Sequence, residues 1–128
     1  MPNLTVMIMT EVKSAFKSTD FEHEVMLCLL EDPSPLYDEL RYQYRNASIL
    51  RRERSIFSNT TYYSMPNNVK AMRRKNMVID DLKAEVAGCK DELNVTLVVR
   101  RGFLSHMEIT ENNGNFPQMP SLLTVYRG

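Results

Sequence analysis

The sequence has no tryptophan, and only four glycines, two cysteines and two histidines occur among its 128 residues. The glycines are scattered, so the glycine-rich loop with which many nucleotide-binding proteins hold phosphate is missing. His23 and His106 lie far apart, and no serine, histidine and aspartate pattern with a local signature accompanies them. We therefore expect no catalytic site, no enzyme activity, no metal site and no cofactor.

The cysteine pattern excludes two further classes of protein. Cys28 and Cys89 fit no zinc-ligand spacing and are too few for a disulfide-rich scaffold. Each belongs to an apolar pattern, which favours two buried free thiols in a reducing compartment over a disulfide between them. No apolar run approaches the roughly 20 residues of a membrane-spanning helix, and no basic segment precedes the first apolar run as in a signal peptide. These absences predict an intracellular protein with no membrane partner.

The residues that are present suit one folded domain over residues 1–128. Hydrophobic residues make up 43% of the chain and charged residues 25%, which is the balance of a globular protein. The length is that of a single ordinary domain. Nine methionines predict an adaptable core.

Charge is distributed very unevenly along the chain. Residues 41–75 carry nine basic side chains and one acid, whereas residues 1–40 carry two lysines and eight acids. The total formal charge is nevertheless zero. A segregated positive segment can attract a polyanion. The alternative is that folding places the acidic first third against the basic middle, so that the charges partly cancel.

The spacing of apolar residues predicts three helices, over about 19–31, 35–57 and 65–91. Thr19 and Glu22 are placed as a capping box at the start of the first helix. Pro35 suits the first turn of the second helix. The third and longest helix has an apolar stripe of Val69, Met72, Ile79, Leu82, Val86, Cys89 and Leu93.

After Asp91 the apolar period changes from about 3.6 to 2, which is typical of strands. Antiparallel strands are predicted near 94–99, 103–110 and 121–126, and residues 2–10 favour a further strand. The sequence thus predicts an α+β fold. A helical part over about 19–91 forms a three-helix bundle, and a small antiparallel β-hairpin or sheet follows over about 94–127.

The predicted third helix is basic in its first half, and a helix that enters the major groove of DNA needs long donors on one face. The sequence therefore predicts DNA contacts from Lys70, Arg73, Arg74 and Lys75. Phosphate contacts are predicted from Arg45, Arg51, Arg52 and Arg54. The alternative is that these cations form only the solvated face of a core helix.

A short pattern in the second predicted helix carries a family resemblance. Leu36-Tyr37-Asp38, preceded by Pro33 and Pro35 and followed by Tyr44-Arg45-Asn46, resembles the signature of the MADF domain, a Myb/SANT-like three-helix module. The resemblance covers about residues 21–85, and the family's two core tryptophans have no counterpart here. It implies a Myb/SANT-like bundle that binds specific DNA sequences in transcription regulation in the nucleus, or a module that binds other proteins.

Two functions are therefore expected. The first is a DNA-binding module of the transcription-regulator kind. The second is a non-enzymatic adaptor or dimerisation domain, in which the acidic first third and the β-rich tail bind a protein partner or a second copy of the chain. The neutral total charge favours the second function.

Overall fold

Strands dominate the chain, although its charged middle segment is rich in residues that favour helices. The computed structural model describes the backbone of residues 9–16 and 19–128 and the side chains of residues 19–128. The elements, in chain order, are β1 (Met9–Phe16), α1 (Asp20–Leu29), α2 (Pro35–Asn46), β2 (Ser48–Arg54), β3 (Ser58–Ser64), β4 (Met77–Val86), β5 (Leu93–Arg100), β6 (Phe103–Thr110) and β7 (Leu122–Arg127).

All the described strands join one antiparallel sheet in the order β1-β2-β3-β6-β5-β4-β7. β1, β2 and β3 are neighbours in one half of the sheet. In the other half β6, β5 and β4 lie side by side, and β7 returns beside β4. The pairing of β3 with β6 joins the two halves.

Both helices pack on the same side of the sheet as the main core. The residues of β5 alternate between buried and more exposed positions, and Leu93, Val95, Leu97 and Val99 are buried. α1 contacts β4 and β7, while α2 contacts β6. The two helices therefore cover one face of the sheet, which is the usual pattern of a two-layer fold.

The predicted three-helix, Myb/SANT-like bundle is wrong. The described residues contain two short helices and a seven-stranded antiparallel sheet. The predicted third helix, 65–91, is instead an irregular connection followed by β4. The description of the chain as a helix bundle is therefore wrong as well.

The error in the third helix has a specific physical cause. β4 buries Met77, Ile79, Leu82, Ala84 and Val86, and its pairing with β5 shifts register between Ile79 and Leu82. A β-bulge adds one residue at such a point, so the next buried residue follows after three positions instead of two. That spacing also occurs along one face of a helix, and the apolar stripe in the sequence was therefore ambiguous.

The second predicted helix was extended too far for a similar reason. α2 ends at Asn46, and Ala47 has the extended angles φ −73° and ψ 146°. The pairing of β2 with β3 then shifts register between Ile49 and Arg51, so the buried residues Ile49 and Arg52 are three positions apart. Arginine, leucine and glutamate favour helices in isolation, but tertiary contacts override such preferences.

Other sequence predictions agree with the structure. Thr19 and Glu22 form the predicted capping box, and Pro35 lies in the first turn of α2. The predicted strands near 94–99, 103–110 and 121–126 correspond to β5, β6 and β7. Of the strand predicted over 2–10, residues 2–8 lie outside the described part of the chain, and residues 9 and 10 belong to β1.

Cys28 and Cys89 are both free, as predicted, although each is half-buried.

Neither α1 nor α2 has the length and apolar character needed to cross a membrane, and no other helix occurs among the described residues.

A buried carboxylate fixes the start of α1 to the sheet. Glu22 is 1% exposed. Its two oxygens accept hydrogen bonds from Arg52 Nε and Nη2, both at 2.7 Å. Thr61 Oγ1 (2.6 Å), Asn59 Nδ2 (3.0 Å) and the Thr19 N–H (2.8 Å) donate to the same carboxylate. Glu22, Arg52, Asn59 and Thr61 are called the Glu22 network below.

Burial alone would raise the pKa of Glu22, but the hydrogen bonds outweigh it. Arg52, Thr61, the Thr19 backbone and Asn59 together lower that pKa from 4.5 to about 2. The carboxylate is therefore charged in the folded protein at neutral pH. It also has no room for a further donor, because several donors already surround it.

Replacing Glu22 with glutamine keeps the shape of the side chain and leaves Arg52 buried without its anionic partner. We expect Glu22→Gln to lower the free energy of unfolding by about 3–5 kcal/mol, the usual cost of breaking a buried ion pair. Urea unfolding at neutral pH measures this loss. Glu24→Gln is the control, because Glu24 is exposed on the same helix and its replacement should cost less than about 0.5 kcal/mol.

The unmodified chain and Glu22→Gln together also test the lowered pKa of Glu22. Because the folded-state pKa of Glu22 lies below the unfolded value, its stabilisation is complete above about pH 4.5 and is lost as the pH falls towards 2. The shift corresponds to roughly 3 kcal/mol. Unfolding measured across this range should show the loss in the unmodified chain and a smaller loss in Glu22→Gln. An equal loss in both would assign the acid sensitivity to other carboxylates.

Candidate nucleic-acid interface

The segment that was predicted to start the third helix folds against the turn between β5 and β6. The Met72 N–H donates to Gly102 O and the Gly102 N–H donates to Lys75 O, both at 2.7 Å. The Arg101 N–H also donates to Asn76 Oδ1 at 3.4 Å. Two segments that are distant in sequence are thus joined into one surface at this end of the sheet.

The turn between β5 and β6 is tight. Arg101 has φ 54° and Gly102 has φ 83°, the left-handed conformations of a two-residue hairpin turn. A Cβ atom at position 102 would lie 2.8 Å from Ala71 Cβ and 3.0 Å from the Met72 backbone. Only glycine therefore lets the two segments approach this closely.

Gln43 of α2 forms hydrogen bonds to both segments. Its side chain is 1% exposed, and Nε2 donates to Lys70 O (3.1 Å) and Gly102 O (2.9 Å). Its Oε1 accepts the Leu104 N–H at 2.8 Å. One amide group thus satisfies three backbone groups in two chain segments, as burial requires.

The buried side chains of Val69 and Met72 anchor the connection, and its cations point outwards. With the two arginines of the turn they make a group of six exposed basic residues, called the basic surface below: Lys70, Arg73, Arg74, Lys75, Arg100 and Arg101. None of the six forms a salt bridge within the described residues. The Glu39 carboxylate touches this region only through the Arg73 backbone N–H, at 3.4 Å.

The positive field extends onto the solvent-facing side of the sheet. Burial first, and then the charge of Arg100, lower the pKa of His106 below its usual value. His106 packs beside Tyr62, with ring centroids 5.4 Å apart. At neutral pH His106 is therefore mostly uncharged.

The remaining cations of the sequence prediction lie elsewhere. Arg45 is exposed in the last turn of α2. The Arg51 guanidinium lies 3.9 Å from the centre of the Tyr62 ring, and its Nε donates to Glu53 at 3.0 Å. Arg52 is 4% exposed and belongs to the Glu22 network. Arg54 donates from Nε to Asn59 Oδ1 at 3.0 Å.

The chain therefore combines both alternatives that its charge pattern left open. Among residues 19–128, acids of the first third neutralise two arginines of the basic segment, through Glu22 with Arg52 and Asp38 with Arg41. Lys70, Arg73, Arg74 and Lys75 stay exposed together, although not on a helix. The interface therefore contains these four residues, and the buried Arg52 is not part of it.

Sequence reasoning missed three contributors to this site: Gln43, Arg100 and Arg101. The Arg-Arg-Gly turn at residues 100–102 is far from residues 70–75 in the sequence, and that distance concealed their contact. Gln43 gave no signal at all. A glutamine on a helix is ordinarily an exposed residue.

Among residues 19–128, no group of three or more histidine, cysteine, aspartate and glutamate side chains is arranged to hold a metal ion. No protein-family model, curated protein or solved structure matches the chain. The MADF resemblance therefore stays a prediction based on the residues quoted above, and the fold that it implied is not the one formed.

Removing the Gln43 amide should loosen the whole interface. In Gln43→Met the Lys70 O and Leu104 N–H lose the partner that Gln43 supplies, at about 1–3 kcal/mol for each group that stays unpaired, while Gly102 O keeps the Met72 N–H. We expect a clear fall in the urea midpoint of unfolding and faster amide hydrogen exchange at residues 70–76. Gln118→Met, at an exposed position, is the matched control. Equal midpoints for the two variants would contradict this role of Gln43.

Proposed function

We propose that this chain binds the phosphate backbone of nucleic acid through the basic surface. The observation that carries the proposal is the exposure, without ion pairs among the described residues, of Lys70, Arg73, Arg74, Lys75, Arg100 and Arg101 on two segments hydrogen-bonded to each other. Lysine and arginine are the main donors to phosphate in nucleic-acid complexes, and several such contacts supply most of the non-specific affinity.

The geometry favours recognition of the backbone over reading of a base sequence. The cations lie on an irregular connection and a hairpin turn, and a helix that could enter the major groove is lacking there. The proposed role is therefore a nucleic-acid-binding module whose affinity depends little on sequence. It differs from the transcription regulator predicted from the third helix.

The distribution of charge supports a one-sided approach. Because the chain is neutral overall, the residues outside the basic surface carry a net charge of six negative units. A molecule with one positive surface and a net negative charge elsewhere orients that surface towards a polyanion before contact. Neutral total charge is thus compatible with strong local attraction.

Binding to a generic duplex and to a single-stranded oligonucleotide, followed by fluorescence anisotropy between about 50 and 200 mM salt, tests the proposal. If all six cations meet phosphates on a duplex, log K should fall with log salt with a slope of about −5, because each contact contributes about 0.9. Scrambling the base sequence should change the affinity little. Absence of binding to both nucleic acids at low salt would refute the proposal.

Matched variants locate the contact. Lys70→Glu and Lys90→Glu change the charge equally, but Lys90 lies in the turn between β4 and β5, away from the basic surface. We expect Lys70→Glu to reduce the slope by about 1 and Lys90→Glu to leave it unchanged. Arg73→Glu with Arg74→Glu should remove about 2 and leave unfolding within roughly 0.5 kcal/mol. Equal effects of the two lysine variants would mean that binding is not centred here.

A second candidate function, an adaptor or homodimer, is favoured by the edge strand β7. Its side chains Leu123 and Tyr126 are 68% and 41% exposed, and edge strands readily pair with a second copy of the same chain. Sedimentation should then show a concentration-dependent dimer that Leu123→Lys weakens. Leu50→Lys, at another exposed leucine, is the control. A chain that stays monomeric at every concentration would exclude the homodimer.

A further inference from the structure

A pocket opens directly beside the basic surface. Its volume is about 330 Å³, at the lower end of the range of sites that hold small molecules. The residues that line it come from two segments, 63–69 and 103–104. Lys70 directly follows the first segment, and Arg100 is the cross-strand partner of Phe103 in the second. Cations of the basic surface therefore adjoin the pocket through both of its segments.

Hydrogen bonds hold the two lining segments in place. The Val69 N–H donates to Pro66 O at 3.1 Å, which closes a turn in the first segment. In the second segment the Leu104 N–H donates to Gln43 Oε1 at 2.8 Å. Nε2 of the same glutamine donates to Lys70 O at 3.1 Å, so one side chain ties both segments together. The pocket is thus formed before a ligand arrives, which lowers the entropic cost of binding.

The chemistry of the lining suits a flat, neutral ring with a polar edge. Apart from Asn67, the described residues that line the pocket are aliphatic or aromatic and carry no charge. Tyr63 is 7% exposed, whereas Phe103 is only half-buried and can offer its ring to a ligand. Asn67 is exposed, and its amide group can both donate and accept hydrogen bonds. A phosphate group would lack partners among these residues and is better placed on the cations outside.

We propose that the pocket receives one unstacked base of a single-stranded nucleic acid, while the phosphates on either side of that base bind the basic surface. The proposal rests on the proposed nucleic-acid binding and adds a site for the base. Every base has an aromatic face that stacks on a ring such as that of Phe103, and a side-chain amide such as that of Asn67 matches the polar edge of a base. The bases of a duplex are already paired and stacked, and placing one in a pocket costs energy. The pocket therefore favours single strands.

A thymidylate oligonucleotide and an abasic strand of the same length are suitable probes, because they carry equal numbers of phosphates and differ only in the bases. Each labelled strand is titrated with the full chain, and fluorescence anisotropy measures binding at low salt. We expect the thymidylate strand to bind about tenfold more tightly, which is the size of effect that one stacked base gives. The two salt slopes should be equal, since the phosphate contacts are the same.

A matched pair of variants tests the role of the Phe103 ring. Phe103→Leu removes the ring and keeps an apolar side chain. It should weaken the thymidylate strand about fivefold, at the lower end for the loss of a stacking contact, and leave the abasic strand and a duplex unchanged. Phe57→Leu is the control, because Phe57 is 39% exposed in the turn between β2 and β3, outside the pocket. Thermal unfolding of both variants separates a loss of binding from a loss of folding.

The outcomes separate the base pocket from the backbone binding on which it rests. Equal affinity for the thymidylate and abasic strands, with a steep salt dependence for both, would leave backbone binding in place and overturn the base pocket. Equal effects of Phe103→Leu and Phe57→Leu on the thymidylate strand would also overturn the pocket alone. Absence of binding to either strand and to a duplex at low salt would instead refute backbone binding, and the base pocket with it.

Discussion

The buried ion pair between Glu22 and Arg52 determines how the helices and the sheet fit together. An arginine in the middle of a strand cannot be buried unless its charge is matched. Glu22 reaches it only because the capping box starts α1 at Thr19 and places that residue in the first turn. The last turn of α1 is held as well, because Arg127 Nη2 of β7 donates to Cys28 O at 3.0 Å. A local capping signal therefore sets the course of α1 from β2 and β3 towards the opposite edge of the sheet.

Local signals in the sequence predicted the fold well where each element obeys one simple period. The start of α1, the start of α2 and the strands β5 to β7 follow from a capping box, a proline and alternating residues. β2 and β4 were missed because each contains a bulge that changes the spacing of buried residues from two to three. A bulge is chosen by the pairing partner across the sheet, which a one-dimensional pattern does not contain. The resemblance to a helical family strengthened the same wrong interpretation.

The candidate interface was likewise predicted only in part. Exposure of Lys70, Arg73, Arg74 and Lys75 was expected from their charge, and the buried side of Met72 was expected from its place in the apolar stripe. Their grouping with Arg100 and Arg101 could not be predicted, because it depends on the hydrogen bonds of Gly102 and on the buried amide of Gln43. Phosphate contacts were also predicted for Arg51, Arg52 and Arg54, which lie in β2. The structure instead gives neighbouring arginines of one strand different environments: Arg51 lies against a tyrosine ring, whereas Arg52 is buried in an ion pair.

The strand order has a consequence for how the molecule assembles. β2 with β3, and β4 with β5 and β6, are each built from strands adjacent in sequence, which close small loops at low entropic cost. The seam between β3 and β6 joins residues near Ser58–Ser64 to residues near Phe103–Thr110 and must close a much longer loop. The Glu22 network attaches α1 to β2 and β3, and α1 also contacts β4 and β7 of the other half. Both α1 and the β3–β6 ladder therefore connect the two halves. The sheet is thus built from two groups of locally paired strands, and we expect the β3–β6 seam to pair after them because its longer loop costs more entropy to close.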